Sequence, residues 1–252
     1  MRRNANPVFR NRNNDMNQAM TSSVPVDVTV STASWSGIAL KTLLLVLIMI
    51  AAGLSTWFLP FPVVVGFLIF GGIASFFFVF FAMRSVKTAP VLSVLYAITQ
   101  GIMYGALTFI VETYFPGVGV MALVATFGIV GVMAFLHSIK AVRATPGLIR
   151  FVFAALLMVM ISSLVLFIIS RVAQDLYLSY VDNYPLMVIV SAFLVVLGAI
   201  MLILDFNNAE TIVQSGAPKI YEWQVSLGFL VTLVWIYLQV IRFLLVLARN
   251  RE

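Results

Sequence analysis

The chain has no cysteine among its 252 residues. That absence excludes a disulfide framework, a thiol nucleophile, a zinc–thiolate centre and an iron–sulfur cluster held by cysteine. Histidine occurs once, at His137, and a lone imidazole with no second ligand near it in sequence makes no metal site. Charge is also scarce: Asp, Glu, Lys and Arg supply 10% of the residues, against about 25% in soluble domains. There is no HExxH, no phosphate-binding glycine loop followed by Lys and Ser or Thr, and no set of nucleophile, base and orienting group. No enzyme activity and no cofactor is therefore expected.

Hydrocarbon fills the space left by these absences. Hydrophobic residues make up 62% of the chain, and the mean hydropathy is +1.09. Polar residues are confined to short connectors between apolar runs, each about as long as the 20 residues needed to cross a bilayer. The chain therefore reads as one integral bundle. Its net charge of +6 lies mostly at the ends of these runs, where Lys and Arg orient helices and meet anionic headgroups. The expected partner is the lipid bilayer and not nucleic acid.

Apolar runs fall near 38–59, 63–83, 90–111, 117–136, 149–170, 186–206 and 225–248. They are continuously apolar, whereas barrel strands are shorter and alternate. The expected fold is an all-α membrane protein, a bundle of about seven transmembrane helices. Pro60, Pro62, Pro90, Pro116, Gly117, Pro146, Gly147, Pro185, Gly216 and Pro218 punctuate the connectors. Residues 1–36 are polar and rich in Asn and Arg, and read as a disordered cytoplasmic tail ahead of a transmembrane domain over 37–252. The pair Arg2 and Arg3 is not followed by a short apolar region with a cleavage site, so the first span is read as a retained anchor. The alternation from Val24 to Val30 could form a strand but has no partner. Basic residues, including Arg10, Arg12, Arg84, Lys87, Lys140, Arg143, Arg150 and Lys219, favour an inside N-terminus. Seven crossings then put the basic end at Arg249–Glu252 outside, unless a late segment is re-entrant.

Ionisable groups at membrane depth are costly and are candidates for function. Lys41 sits one turn into the first span and is expected to snorkel. Glu112 is expected to face outer water, and His137 to be an interface residue beside Lys140 and Arg143. Gly101 and Gly105 form a small-xxx-small pattern that lets helices approach. Gln100 and Thr126 are candidates for hydrogen bonds between helices. The run FFFVFF (76–81) reads as lipid-facing or core bulk. Asp205, Glu210 and Glu222 gather at the inner end of spans six and seven, level with Arg84 at the end of span two. Two readings are open for them: a titrating gate on a cation path, or an ion pair between spans two and six among ordinary interface acids.

The order of AMRSVK (82–87), YAITQGIMYGALTFIVETYFPGV (96–118), LILDFNNAE (202–210) and WIYLQVIRFLLVL (235–247) resembles the Bax inhibitor-1 family, also called YccA-like. The resemblance spans residues 39–248. It is closest to bacterial members with a polar N-terminal tail, here with Asn6 to Phe9, and residues 217–239 fit that subgroup well. It implies a bundle with the last helix at its centre, in a bacterial plasma membrane. It also implies a proton-sensitive calcium leak, or alternatively regulation of another membrane protein such as a membrane-bound AAA protease. In the family's leak mechanism two aspartates share a proton and an arginine competes for the first. Asp205 matches the first aspartate and Arg84 the arginine, but Gln239 stands at the second aspartate and cannot titrate, which puts a two-acid latch in doubt. Arg242 replaces a usual Asn. By helical rise Gln239 is expected far from Asp205 in depth, which makes Glu222 a candidate substitute acid. A secondary transporter would predict repeated halves, and none is visible.

Overall fold

The structure, a computed structural model, describes residues 31–249. The strand expected at Val24–Val30, the segment Asn6 to Phe9, nearly all of the tail and residues 250–252 lie outside them. Eight α-helices follow in order among the described residues: α1 (Trp35–Ser55), α2 (Phe61–Arg84), α3 (Ala89–Tyr114), α4 (Val118–Ser138), α5 (Pro146–Val172), the short α6 (Gln174–Val181), α7 (Tyr184–Gln214) and α8 (Tyr221–Arg249). All but α6 are long and apolar enough to cross a membrane. The chain is an all-helical, multipass membrane protein.

Local chemistry sets the helix starts. Ser34, Thr145 and Asn183 each accept a backbone N–H of the following first turn. Proline sits in the first turn of α2, α3, α5 and α7, where its missing N–H has no intrahelical role. The largest departure from hydropathy is at α7, expected to end near 206 but helical to Gln214. Residues 207–214 are polar enough to leave the apolar run, yet nothing breaks a helix until Gly216, which takes a left-handed φ of 64°. Asp205 therefore lies nine residues before the end of its helix, about 13 Å in, and not at its tip.

The last helix is the hub. α8 packs against α1, α2, α3, α4 and α7 and buries residues all round its first five turns, among them Leu227, Leu230 and Ile236. α5, by contrast, buries only Val152 and Ala155. Most of the Phe76–Phe81 side chains face outward, with Phe76 68% exposed. α8 also runs the full length of the bundle. It begins beside Ser34, at the end where α1 starts (the proximal end), through a Glu222 contact. At the opposite, distal end, Arg249 Nη2 donates to Asp182 Oδ1 at 2.8 Å, in the connector before α7. The last helix thus reaches from one end of the bundle to the other.

Lipid supplies no hydrophobic drive for helices to associate, so close backbone approach matters more. α1 and α3 form the most extensive pair, and glycines line their crossing. A Cβ at Gly105 would lie 2.6 Å from the Gly53 Cα, and one at Gly101 would lie 2.8 Å from the Ala52 Cβ. Gly128 on α4 has nothing within 4 Å of such a Cβ. Gly105→Ala is expected to cost about 1–3 kcal/mol through overpacking and to lower the melting temperature in detergent. Gly128→Ala should leave melting unchanged or raise it slightly, and equal melting of the two variants would refute the tight crossing.

Candidate functional site

The first turns of α8 gather the proximal ends of two other helices. Glu222 is fully buried, at 0% exposure. Its Oε1 accepts the Ser34 backbone N–H at 2.9 Å and the Ser34 hydroxyl at 3.2 Å, and its Oε2 pairs with the Lys41 ammonium. A carboxylate placed there meets the positive end of the α1 dipole and its unpaired N–H groups. Gly37 leaves the room, because a Cβ at that position would collide with the Glu222 carboxylate. Two residues on, Gln224 Nε2 donates to the Ala82 and Met83 carbonyls at 2.7 and 3.2 Å, which satisfies acceptors that α2 leaves open at its C-terminus. Ser226 donates to the Ile38 carbonyl at 3.0 Å. Lys41, expected to snorkel, is instead held inward by Glu222 and lies 5.5 Å from the centre of the Trp223 ring. The cause is a buried counter-charge on a helix far away in sequence.

Asp205 lies in the next layer up. Its carboxyl sits beside the Thr232 hydroxyl of α8, and its Oδ1 would be 3.8 Å from a Cβ at Gly228. Gly228 and Thr232, one turn apart on α8, make a small polar notch for it. Asp205 Oδ2 is buried and has no hydrogen-bond partner among the described residues. Two more buried polar atoms share this condition on the same stripe of α8, Trp235 Nε1 and Gln239 Oε1. Positions 232, 235 and 239 follow the i, i+3, i+7 spacing of one helix face. Gly198 of α7 fixes the register by lying against Ile236 and Trp235. Between α7 and α8 there is thus a seam of polar atoms inside an apolar bundle.

The sequence-derived candidates separate in space. Arg84 ends α2, is exposed, and forms no ion pair within 4.0 Å among the described residues, so no pair joins it to Asp205. Gln239 is seven residues beyond Thr232, about 10 Å further along the helix, and does not reach Asp205 either. Glu222 belongs to the α1 junction. Arg242 is half-buried and likewise forms no ion pair among the described residues. Thr126, a candidate for an inter-helix bond, donates to Ala122 of its own helix at 2.7 Å, and Gln100 Oε1 has no partner among the described residues.

Glu112, expected to face outer water, is half-buried and accepts the Gly117 and Val120 N–H groups at 2.6 and 3.1 Å. It caps α4, whose own N-cap residue, Gly117, has no side chain to do so. The Glu112 cap borders a half-open apolar cleft of about 980 Å³ that also reaches Gly105, Thr108 and Tyr237. His137 at the proximal end of α4 approaches Glu210 of α7, Nε2 to Oε2 at 3.7 Å. The residues that sequence reasoning passed over were Ser34, Gly37, Gln224, Gly228, Thr232 and Trp235. A serine just before the first apolar run is a helix-start signal that could have found Ser34. The small residues at 226, 228 and 232 are ordinary until a partner helix is known.

Seven spans, the last of them central, with a carboxylate inside, define a polytopic α-helical membrane protein. Residues 6–249 match the family described as Bax inhibitor 1 like, and the chain belongs to that family. No curated protein and no solved structure matches it.

The Glu222 junction makes an unequal pair of variants. Lys41→Met leaves a buried carboxylate without its counter-charge and is expected to cost about 3 kcal/mol. Adding Glu222→Gln removes that charge and should recover part of the loss. Melting of the single and double variants in detergent measures the coupling, and additive losses would mean that the two groups act independently.

Proposed function

We propose that this protein is a passive, pH-modulated cation leak, with calcium as the ion that family membership suggests, in a bacterial plasma membrane with its N-terminus cytoplasmic. It does no covalent chemistry in this reading. The observation that carries the proposal is the α7–α8 seam, where Asp205 Oδ2, Trp235 Nε1 and Gln239 Oε1 are buried without partners among the described residues. Buried polar atoms are nearly always satisfied, and in a bilayer an unsatisfied one costs several kcal/mol. Water or a hydrated cation is the natural partner for such a row. Asp205 supplies the negative charge that favours cations over anions. With Gln239 at the second family position, one carboxylate serves the seam, so a cation there is held weakly enough to leave.

Purified protein in liposomes loaded with a calcium dye tests this. Asp205→Asn is expected to reduce flux about tenfold, equivalent to ~1.4 kcal/mol in barrier height. Flux unchanged in that variant, or absent at every pH in the unaltered protein, would reject the leak. The latter result would favour the other reading, a non-conducting regulator of a second membrane protein.

A further inference from the structure

The single histidine is more deeply embedded than an interface residue needs to be. His137 is 18% exposed. Its ring stacks on Phe206 of α7, with centroids 5.1 Å apart and planes 18° from parallel. The Trp35 ring of α1 lies 6.1 Å away. Nε2 faces Glu210 Oε2 at 3.7 Å, while Nδ1 is buried with no partner among the described residues. Glu210 is itself steadied by Gln214, whose Nε2 donates to Oε1 at 2.9 Å. Phe206 then meets Phe229 of α8 edge-on, with centroids 5.0 Å apart. It is also the residue that follows Asp205.

We infer that His137 and Glu210 form a proton-operated clasp between α4 and α7, seated in the layer beside Asp205. The contact of 3.7 Å is longer than the 2.7–3.2 Å of a made N–H···O bond. With a neutral imidazole no hydrogen bond therefore joins the two helices at this point, and apolar packing and ring stacking hold them. Protonation makes both ring nitrogens donors and turns the Glu210 contact into a charge-assisted bond, which is shorter and stronger. Histidine is the side chain that makes this change near neutral pH. Closing the clasp draws α4 onto α7, and the Phe206 and Phe229 rings carry the movement to α8.

Few other charges face the imidazole. From α7, Glu210 is the one ionisable group within 4.0 Å among the described residues, and Asp205 turns to Gly228 and Thr232. From α8, Glu222 is engaged by Lys41 and Ser34 of the α1 region, and from α1 itself Trp35 is what touches the ring. On α3, Glu112 lies at the far end and caps α4. On its own chain, Lys140 follows after the helix ends, in a left-handed turn with φ 57°. The clasp joins a base of α4 to an acid of α7, apart from Gln239 on α8. Its effect on flux rests on the leak reading; its existence does not.

Trp35 is a built-in reporter, since an imidazolium quenches a neighbouring indole. The full-length protein in detergent or nanodiscs should lose emission on acidification, when the imidazole takes up a proton. That pH-dependent component should vanish in Trp35→Phe and in His137→Gln. In calcium-loaded liposomes, His137→Gln and Glu210→Gln should each flatten the pH profile of flux, and the double variant should do no more than either. Glu210 is 41% exposed, so Glu210→Gln tests the idea without touching the core. An emission change that persists in His137→Gln overturns the clasp, as does a flux profile left intact by Glu210→Gln. Emission behaving as expected with no flux at any pH upholds the clasp and rejects the leak.

Discussion

A buried carboxylate at the start of the last helix organises this bundle. Glu222 accepts the backbone N–H and the hydroxyl of Ser34, the residue that caps α1, neutralises Lys41 and occupies space that only a glycine at position 37 leaves open. Taking an ion pair out of water is expensive, and the cost is recovered only when the remaining donors and acceptors are also satisfied. Here both oxygens of the carboxylate are engaged. The same turns of α8 close the end of α2 through Gln224 and take the Ile38 carbonyl through Ser226. In hydrocarbon, where apolar contact does not favour protein over lipid, these polar closures specify which helices meet.

Farther along α8 the chemistry changes from satisfied to unsatisfied. The proximal junction leaves few polar groups open, whereas the seam with α7 leaves three. Two regions of one helix thus differ in how completely their polar groups are satisfied. Gly198 lets α7 lie close against Ile236 and Trp235 of α8, so this packing glycine and the polar row belong to one arrangement.

Much of the fold was legible in advance because crossing a bilayer imposes a length and a composition on every span. The seven runs, their order and their breakers emerge from hydropathy and from proline and glycine alone. The boundary near 206 failed because hydropathy tracks lipid and not helix: FNNAETIVQ leaves the apolar stretch while continuing the same backbone hydrogen bonding. Lys41 was misread for a different reason. Snorkelling is what an isolated lysine near a span end does, and its partner is 181 residues away. The grouping of Asp205, Glu210, Glu222 and Arg84 at one level treated axial depth as contact. Rotation about each helix, which a hydropathy profile does not carry, sends Asp205 to Thr232, Glu210 to His137 and Glu222 to Lys41. Motif order reached the family because it needs no such rotation.

The two tethers of α8 restrict how it can move. Glu222 with Lys41 holds its first turn, and Arg249 with Asp182 holds its last. The first tether is buried and fully engaged, whereas the second joins two exposed side chains, where an ion pair contributes about 0–1 kcal/mol. The central helix is therefore held firmly at its root and only lightly at its tip, like a mast stepped at the keel.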